Sequence, residues 1–397
     1  MTVSQRKTYD LAIVGGGLVG NSLACALAES GLSIALIEVA ESARSVLGFD
    51  QRKLALAQAS IKALLGFGVL QRLQQPATAI KRIHVSRVGD FGRVLLQATD
   101  FGHEAFGGVV LAQDLGAALV ESVSVLKHVS RYCPATVIDY QELDDYSMLN
   151  INASGVESTI QARYVVAADG THSFIRNALG IKTVEHDYKQ TLFVCSLQAE
   201  KANDGTAFER FSEQGPVALL PMADGLYGSI CGVSTANADE IMALDDARYA
   251  EYIQSRFGWR VGKIKRVGTR SHYPIKRVLA ECLNSKRAVL MGNAAQTIHP
   301  IGAQGFNLGL RDALCFAELI SEQGLTESIT SNYAMQRASD RERTLALSDG
   351  MARMTANSSF SSHLMRSMAL SFIGSVPSIA APLVTKAMGF RSNAGVV

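Results

Sequence analysis

Tryptophan is almost missing from this chain, present once at Trp259 among 397 residues, and so is any excess of charge, since 38 Lys and Arg against 36 Asp and Glu leave a net +2. Neutralising many phosphates requires a basic field, and no stretch interleaves Lys or Arg with stacking aromatics, so nucleic acid is excluded as a partner. Cysteine is sparse and scattered. Cys25, Cys133, Cys195, Cys231, Cys282 and Cys315 form no Cys-x-x-Cys pair and no metal-like spacing with His, which argues against a metal centre and predicts buried, reduced thiols of a cytoplasmic protein. Long apolar runs are lacking too. Residues 1–10 are polar and lead straight into a strand, without the apolar core of a signal peptide. Residues 368–384 carry no charge, but Gly374, Pro377 and Pro382 interrupt them and they fall short of a spanning helix. No internal repeat or low-complexity tract is found.

What is abundant is apolar sequence, 48% against 19% charged, which indicates a globular chain with a sizeable core. The length suits one core domain plus a smaller attached one. Residues 9–14, Tyr-Asp-Leu-Ala-Ile-Val, read as a strand buried on both faces of a parallel sheet. Helical spacing follows over 18–30, closed by Gly31, and 33–38 form a second buried strand, completing a βαβ unit. Residues 52–73 read as helix, 80–98 as paired strands around Gly89-Asp90, and 113–126 as helix. The stretch 135–167 reads as a β-meander ending in a buried strand. Between 191 and 233, β-rich runs separated by Gly, Pro and Asp turns predict a mostly antiparallel sheet, with a further buried strand at 287–291 and a helix at 307–325.

Gly15, Gly17 and Gly20 satisfy G-x-G-x-x-G directly after the first strand and at the start of a helix, with Glu38 ending the next strand. Such glycines let the backbone approach a pyrophosphate, whose charge is met by free N–H groups and the positive helix end, while Glu38 can accept from a ribose diol. The fingerprint alone does not choose between NAD and FAD.

Two other segments do. Residues 164–176, Tyr-Val-Val-Ala-Ala-Asp-Gly-Thr-His-Ser-Phe-Ile-Arg, resemble the Asp-Gly motif of the single-component (class A) aromatic flavin hydroxylases typified by p-hydroxybenzoate hydroxylase, with Asp169 and Gly170 matching directly and Arg176 as the basic residue. Residues 289–312 resemble the same family's second FAD motif. Where the family usually has Gly-Asp-Ala-Ala-His, this chain has Gly292-Asn293-Ala294-Ala295-Gln296, a departure that most resembles the ubiquinone-biosynthesis branch acting on 2-polyprenyl-6-methoxyphenol. Arg52 and Gln113 resemble further FAD-contacting positions, and residues 208–222 resemble the sheet over the substrate pocket.

The resemblance implies an α/β fold: an FAD-binding Rossmann-like domain of the glutathione-reductase type (1–75, 99–180 and 281–350), an inserted, mostly antiparallel substrate sheet (76–98 and 181–280) and a C-terminal helical segment (351–397). It implies FAD held by Gly15, Gly17, Gly20, Glu38, Arg52, Gln113, Asp169, Gly170, Asn293, Gly302, Gly305, Phe306 and Asn307. His299, Pro300 and Gln304 lie at the reacting face, His299 being either a catalyst or a structural hydrogen-bonder beside proline. The implied activity is hydroxylation of a polyprenyl phenol by O2 through a flavin C4a-hydroperoxide, with NAD(P)H as electron donor and other ubiquinone-biosynthesis proteins as partners. The single tryptophan argues against a halogenase. A prenyl reductase of the same fold and a non-catalytic FAD-binding subunit remain as alternatives. Residues 360–390, apolar with Met and Phe, read either as a surface touching the inner membrane or as a helix packed on the FAD domain. Tyr227, His272 and Tyr273 are conceivable phenol activators, and no spacing singles one out.

Overall fold

The computed structural model describes residues 7–40, 53–90 and 92–356, with side chains to residue 346. Arg52, the interfacial segment expected at 360–390 and most of the expected C-terminal segment lie outside the described residues.

The first strand, Lys7–Val14, is central to a seven-stranded sheet because Leu11, Ala12 and Ile13 are apolar on both faces and fully buried. On one side it pairs in parallel with Ile34–Ile37, which pairs in parallel with Val129–Tyr132. On the other it pairs in parallel with the long strand Val156–Ala167. The first part of that strand continues antiparallel into Ser147–Ala153 and then Thr136–Glu142, the expected meander, whereas its end, Val165–Ala167, pairs in parallel with Ala288–Leu290. Helices Leu18–Ala26, Ala112–Ser124 and Gln304–Gln323 complete the layer, burying Leu23, Leu115, Leu119, Leu310 and Phe316 in its core.

The nine-stranded second sheet is mostly antiparallel, as expected, running through Ser271–Ala280, Thr183–Ala199, Tyr227–Ser234, Val217–Pro221 and Thr206–Phe211. The hairpin Arg82–Arg87 and Arg93–Gln97 joins its edge through a parallel pairing with Thr206–Phe211. One face is covered by helices Ala238–Ala243 and Asp246–Phe257, whose Tyr249, Ile253 and Phe257 bury against Phe193, Cys231 and Val233. Each such side chain contributes roughly 2 kcal/mol. These helices were not read from the sequence, although Asp245 caps the second by accepting from Arg248 N–H at 2.8 Å.

Two expectations need correction. Residues 53–57 are a strand rather than helix: Lys53–Ala57 pairs antiparallel with Gly107–Leu111 in a small third sheet, and the helix begins only at Gln58. The pairing is close because Gly107 has no side chain, and a Cβ there would sit 1.9 Å from the Leu56 carbonyl oxygen. The thiols are also not uniformly buried, since Cys282 is exposed and Cys133 half-buried. Among the described residues no helix is long and apolar enough to cross a membrane.

Candidate cofactor and active site

Four parallel strands end side by side, and each releases one predicted motif at its C-terminal end. Val14 pairs with Ile37 on one side and Ala167 on the other, and Ala167 pairs with Leu290. Just beyond those ends come Gly15–Gly17, Glu38, Asp169-Gly170 and Gly292-Asn293. Ligands of open α/β sheets bind outside the carboxyl ends of the strands, so topology alone gathers these motifs at one edge.

Within the glycine turn each position has its own job. Gly15 adopts φ +103°, and a Cβ there would lie 2.3 Å from the Ala168 oxygen, so the turn presses directly on the Asp169 loop. Gly20 is held by the turn itself, its hypothetical Cβ falling 1.9 Å from the Gly15 oxygen. Gly17 is the contrast: it caps helix Leu18–Ala26 with no side-chain cap, and a Cβ there would meet nothing within 4 Å. Space and unsatisfied N–H groups thus coincide at the helix start, and no acidic side chain occupies its first turn. Glu38 completes the rim, accepting from Gly16 N–H at 2.6 Å and Ala40 N–H at 2.9 Å.

Asp169 accepts from Ile175 N–H at 3.2 Å, while its Oδ1 is buried with no hydrogen-bond partner among the described residues. Burial pushes this carboxyl above the usual range despite opposing hydrogen bonds from Ser173 and Ile175. An orphaned, desolvated oxygen beside an open helix start fits a site that a dinucleotide completes. Gly170, at φ +85°, makes the following turn. Arg176 is buried and serves the scaffold, donating to the Ala294 and Thr171 carbonyls at 2.9 Å each and so tying the Asp-Gly loop to the Gly292 loop.

Asn293 is exposed at the strand end, and Gln296 is buried. The Gln296 amide donates to Asp312 Oδ2 at 2.7 Å, and Gly292 N–H donates to the same oxygen at 3.0 Å. Asp312 in turn pairs with Arg337 at 2.7 Å, and Arg337 with Asp340 at 2.7 Å. This network, invisible in the sequence, locks the second FAD motif onto helix Gln304–Gln323.

The loop before that helix carries the predicted reacting face. Pro300 is half-buried, Gly302 takes φ +71° and Ala303 φ +52° before the helix starts. Gln304 donates to the Gly302 oxygen at 3.1 Å and steadies the turn. Gly305 has open space at its Cβ position, no acidic residue lies in the first turn, and Phe306 is half-buried beside it. This helix start can therefore also receive negative charge. His299 is buried; its Nδ1 accepts from Ile301 N–H at 3.2 Å, which places the proton on Nε2, 3.2 Å from Gln190 Oε1. That geometry is a structural one. Asn307 is likewise spent on the scaffold, donating to the Ala55 and Ala303 oxygens and accepting from Ala57 N–H and Ser60 Oγ. Gln113 is half-buried at the start of helix Ala112–Ser124.

Of the conceivable phenol activators, Tyr227 belongs to the core under the two covering helices and His272 stacks on Phe193 of that same core at 5.4 Å. Burial, then Asp204, pushes the Tyr227 hydroxyl up to about 12. Tyr273 pairs in register with Leu192 on the opposite face of the sheet.

The family model described as FAD binding domain matches residues 8–339. The ubiquinone hydroxylase UbiL of Rhodospirillum rubrum is 32% identical over 368 residues, covering 90% of this chain and 84% of that one. The 3-demethoxyubiquinol 3-hydroxylase of Escherichia coli is 29% identical, covering 83% and 86%. The crystal structure of p-nitrophenol 4-monooxygenase from Pseudomonas putida superposes with a TM-score of 0.80 at 18% identity over 97% of this chain and 99% of that one, a likeness of fold.

Proposed function

This chain belongs to the FAD-binding-domain family of flavin-dependent monooxygenases, among the ubiquinone hydroxylases, and on that premise we propose that it hydroxylates a 2-polyprenyl-6-methoxyphenol-like ring, using O2 and electrons from NAD(P)H. The observation that carries the reading is the convergence of four strand ends on one edge, next to the Pro300 loop. FAD, when bound, supplies the activation of O2 and the two-electron chemistry. Gly15, Gly17 and Gly20 would let the backbone reach its pyrophosphate, with Asp169 and Gly170 near it, Glu38 would offer acceptors to the ribose, and Asn293 would hydrogen-bond the ribityl chain. The N–H groups following Ala303 would stabilise negative charge on the reduced ring, and Gly302, Gly305 and Phe306 would hold it beside Pro300.

The protein's own contribution is a dry, shaped space. The sheet face turned away from the covering helices carries Ala207, Leu220 and Ile230, and Ala55 lies at the edge of that apolar cluster. The Ala55 carbonyl is bonded by Asn307 in the first turn of the helix after the Pro300 loop, so the apolar face adjoins that loop. Such a surface suits a prenylated ring and excludes water from the reaction.

The test is purification followed by the visible spectrum, reconstitution with FAD, and turnover with NAD(P)H, 18O2 and a short-chain 2-prenyl-6-methoxyphenol. One 18O atom in the product is expected. Saturation of the prenyl chain without oxygen would indicate a prenyl reductase, and bound FAD with peroxide alone would indicate a non-catalytic subunit or another substrate. Absence of FAD binding after reconstitution would overturn the reading.

A further inference from the structure

In the sheet over the substrate space, strand Thr206–Phe211 sets an acid between two apolar cross-strand neighbours. Strand Thr206–Phe211 alternates: Phe208 points to the covering helices, meeting Phe257 edge-on at 5.6 Å, and Ala207 points the other way into the cluster with Leu220, Ile80 and Val109. Period-two geometry therefore puts Glu209 on the same face as Ala207. Its cross-strand neighbours are Ala218 on one side and Val85 on the other. Glu209 is half-buried, and among the described residues it has neither a hydrogen bond nor an ion pair.

The charged groups that neighbouring elements bring to this face are Arg87, which pairs with Asp90 at 3.8 Å, and Lys53, whose stem crosses the sheet at Gly228. On its own strand, Arg210 points to the opposite face, towards Gly258 and Arg260. A carboxylate placed in this way contributes nothing to the fold and costs desolvation. Structural explanations for it are lacking; a chemical one is available.

We propose that Glu209 is the base that receives the phenol proton of the substrate, a reading that rests on the hydroxylase function above. The step is a simple proton transfer: the phenol O–H bond breaks, a carboxyl O–H bond forms on Glu209, and the electron pair left on oxygen enriches the ring for attack on activated oxygen. The proton leaves to solvent at the end of the cycle. A base is most effective when its pKa lies near the working pH, and burial pushes the Glu209 carboxyl up to about 7.

The experiment compares wild type, Glu209→Gln and Glu209→Asp, each loaded with FAD, on 2-prenyl-6-methoxyphenol and on a ring-fluorinated analogue acidic enough to be ionised at the assay pH. With the ordinary phenol, kcat/KM of the wild type is expected to fall about tenfold per pH unit below roughly 7, and Glu209→Gln to lose the limb together with on the order of 100-fold in rate. The fluorinated phenol, needing no base, restores the Gln variant to within a few fold, and Glu209→Asp keeps a shifted limb. A purely structural role would slow both phenols alike. Equal loss with both phenols, or an unchanged pH profile in Glu209→Gln, overturns the inference while leaving the hydroxylase reading intact. Wild type that binds FAD yet forms no hydroxylated product from either phenol overturns the reading, and the inference with it.

Discussion

Replacing Gly17 by Ala and Gly20 by Ala should separate cofactor binding from folding within one turn of chain. At Gly17 the backbone is extended, φ −73° and ψ −165°, which alanine adopts freely, and the added methyl meets nothing within 4 Å. The gain from a less flexible unfolded chain and the loss of a better cap nearly cancel, so stability should stay within about 1 kcal/mol of wild type. The same methyl occupies the space through which a pyrophosphate approaches the helix start, so FAD affinity should fall at least tenfold, about 1.4 kcal/mol. At Gly20 the methyl lands 1.9 Å from the Gly15 carbonyl oxygen, a backbone atom that no rotamer change can move. Overpacking of about 3 kcal/mol, less about 1 kcal/mol regained in helix propensity, leaves the apoprotein roughly 2 kcal/mol less stable. Denaturant unfolding of the apoproteins and FAD titration by flavin fluorescence measure the two effects separately. A Gly17→Ala protein that binds FAD like wild type would refute the assignment of this turn to the pyrophosphate, and a Gly20→Ala protein of unchanged stability would refute the close contact.

The Asp312 network yields a second test: Asp312→Ala leaves Arg337 buried with only Asp340 to meet it and should cost about 3 kcal/mol in urea unfolding. Replacing both partners, Asp312→Leu with Arg337→Met, should cost less than Asp312→Ala alone; a larger cost would show that the pair is a net source of stability. Ala303 sits at φ +52° before the helix of the Pro300 loop, so Ala303→Gly should stabilise the protein by up to about 1 kcal/mol, and a loss instead would mean that the methyl group packs productively. For Glu209, the folded carboxyl titrates near 7 against an ordinary value of 4.5. The folded state then holds the proton more tightly, so stability is complete below about pH 4.5 and falls as pH rises to about 7. After discounting for its partial exposure, Glu209→Gln should gain roughly 1–2 kcal/mol over wild type at pH 8 and almost nothing at pH 4.5, and equal melting at both would refute the shift.

Much of the FAD layer was legible because its information is local. A buried strand, a glycine turn and a helix follow one another within residues 7–26, and the structure keeps that order. The antiparallel sheet announced itself through turn residues between apolar runs. The strand identity of Lys53–Ala57 is not in its own residues: it is set by Gly107, fifty positions beyond Ala57, whose missing side chain permits the pairing. Helices Ala238–Ala243 and Asp246–Phe257 escaped because they follow a β-rich run, although Asp245 and the spacing of Tyr249, Ile253 and Phe257 were the available signals. Glu209 lies within residues 208–222, which the sequence marks only as sheet. Its significance depends on the identities of Ala218 and Val85 beside it, which are tertiary facts.

The Asn293 and Gln296 departures are best understood through the same distinction between local and tertiary information. In the sequence they look like lost function, a missing acid and a missing histidine at the heart of an FAD motif. In the structure Gln296 points inward, to Asp312 Oδ2, an oxygen that also accepts from Gly292 N–H. What that position requires is one hydrogen-bond donor, because the negative charge of Asp312 is already balanced by Arg337. A neutral amide satisfies the requirement as an imidazole N–H would, without adding a titrating group to a buried network. Asn293, exposed at the strand end, keeps an oxygen acceptor and gains a donor, and what it gives up is a negative charge. Both changes are therefore compatible with the gathering of the four motifs, and downstream Gly302 stands in the Pro300 loop and Gly305 and Gly309 in the helix that follows it. Gln296 therefore changes how the scaffold is held together and not whether it is held.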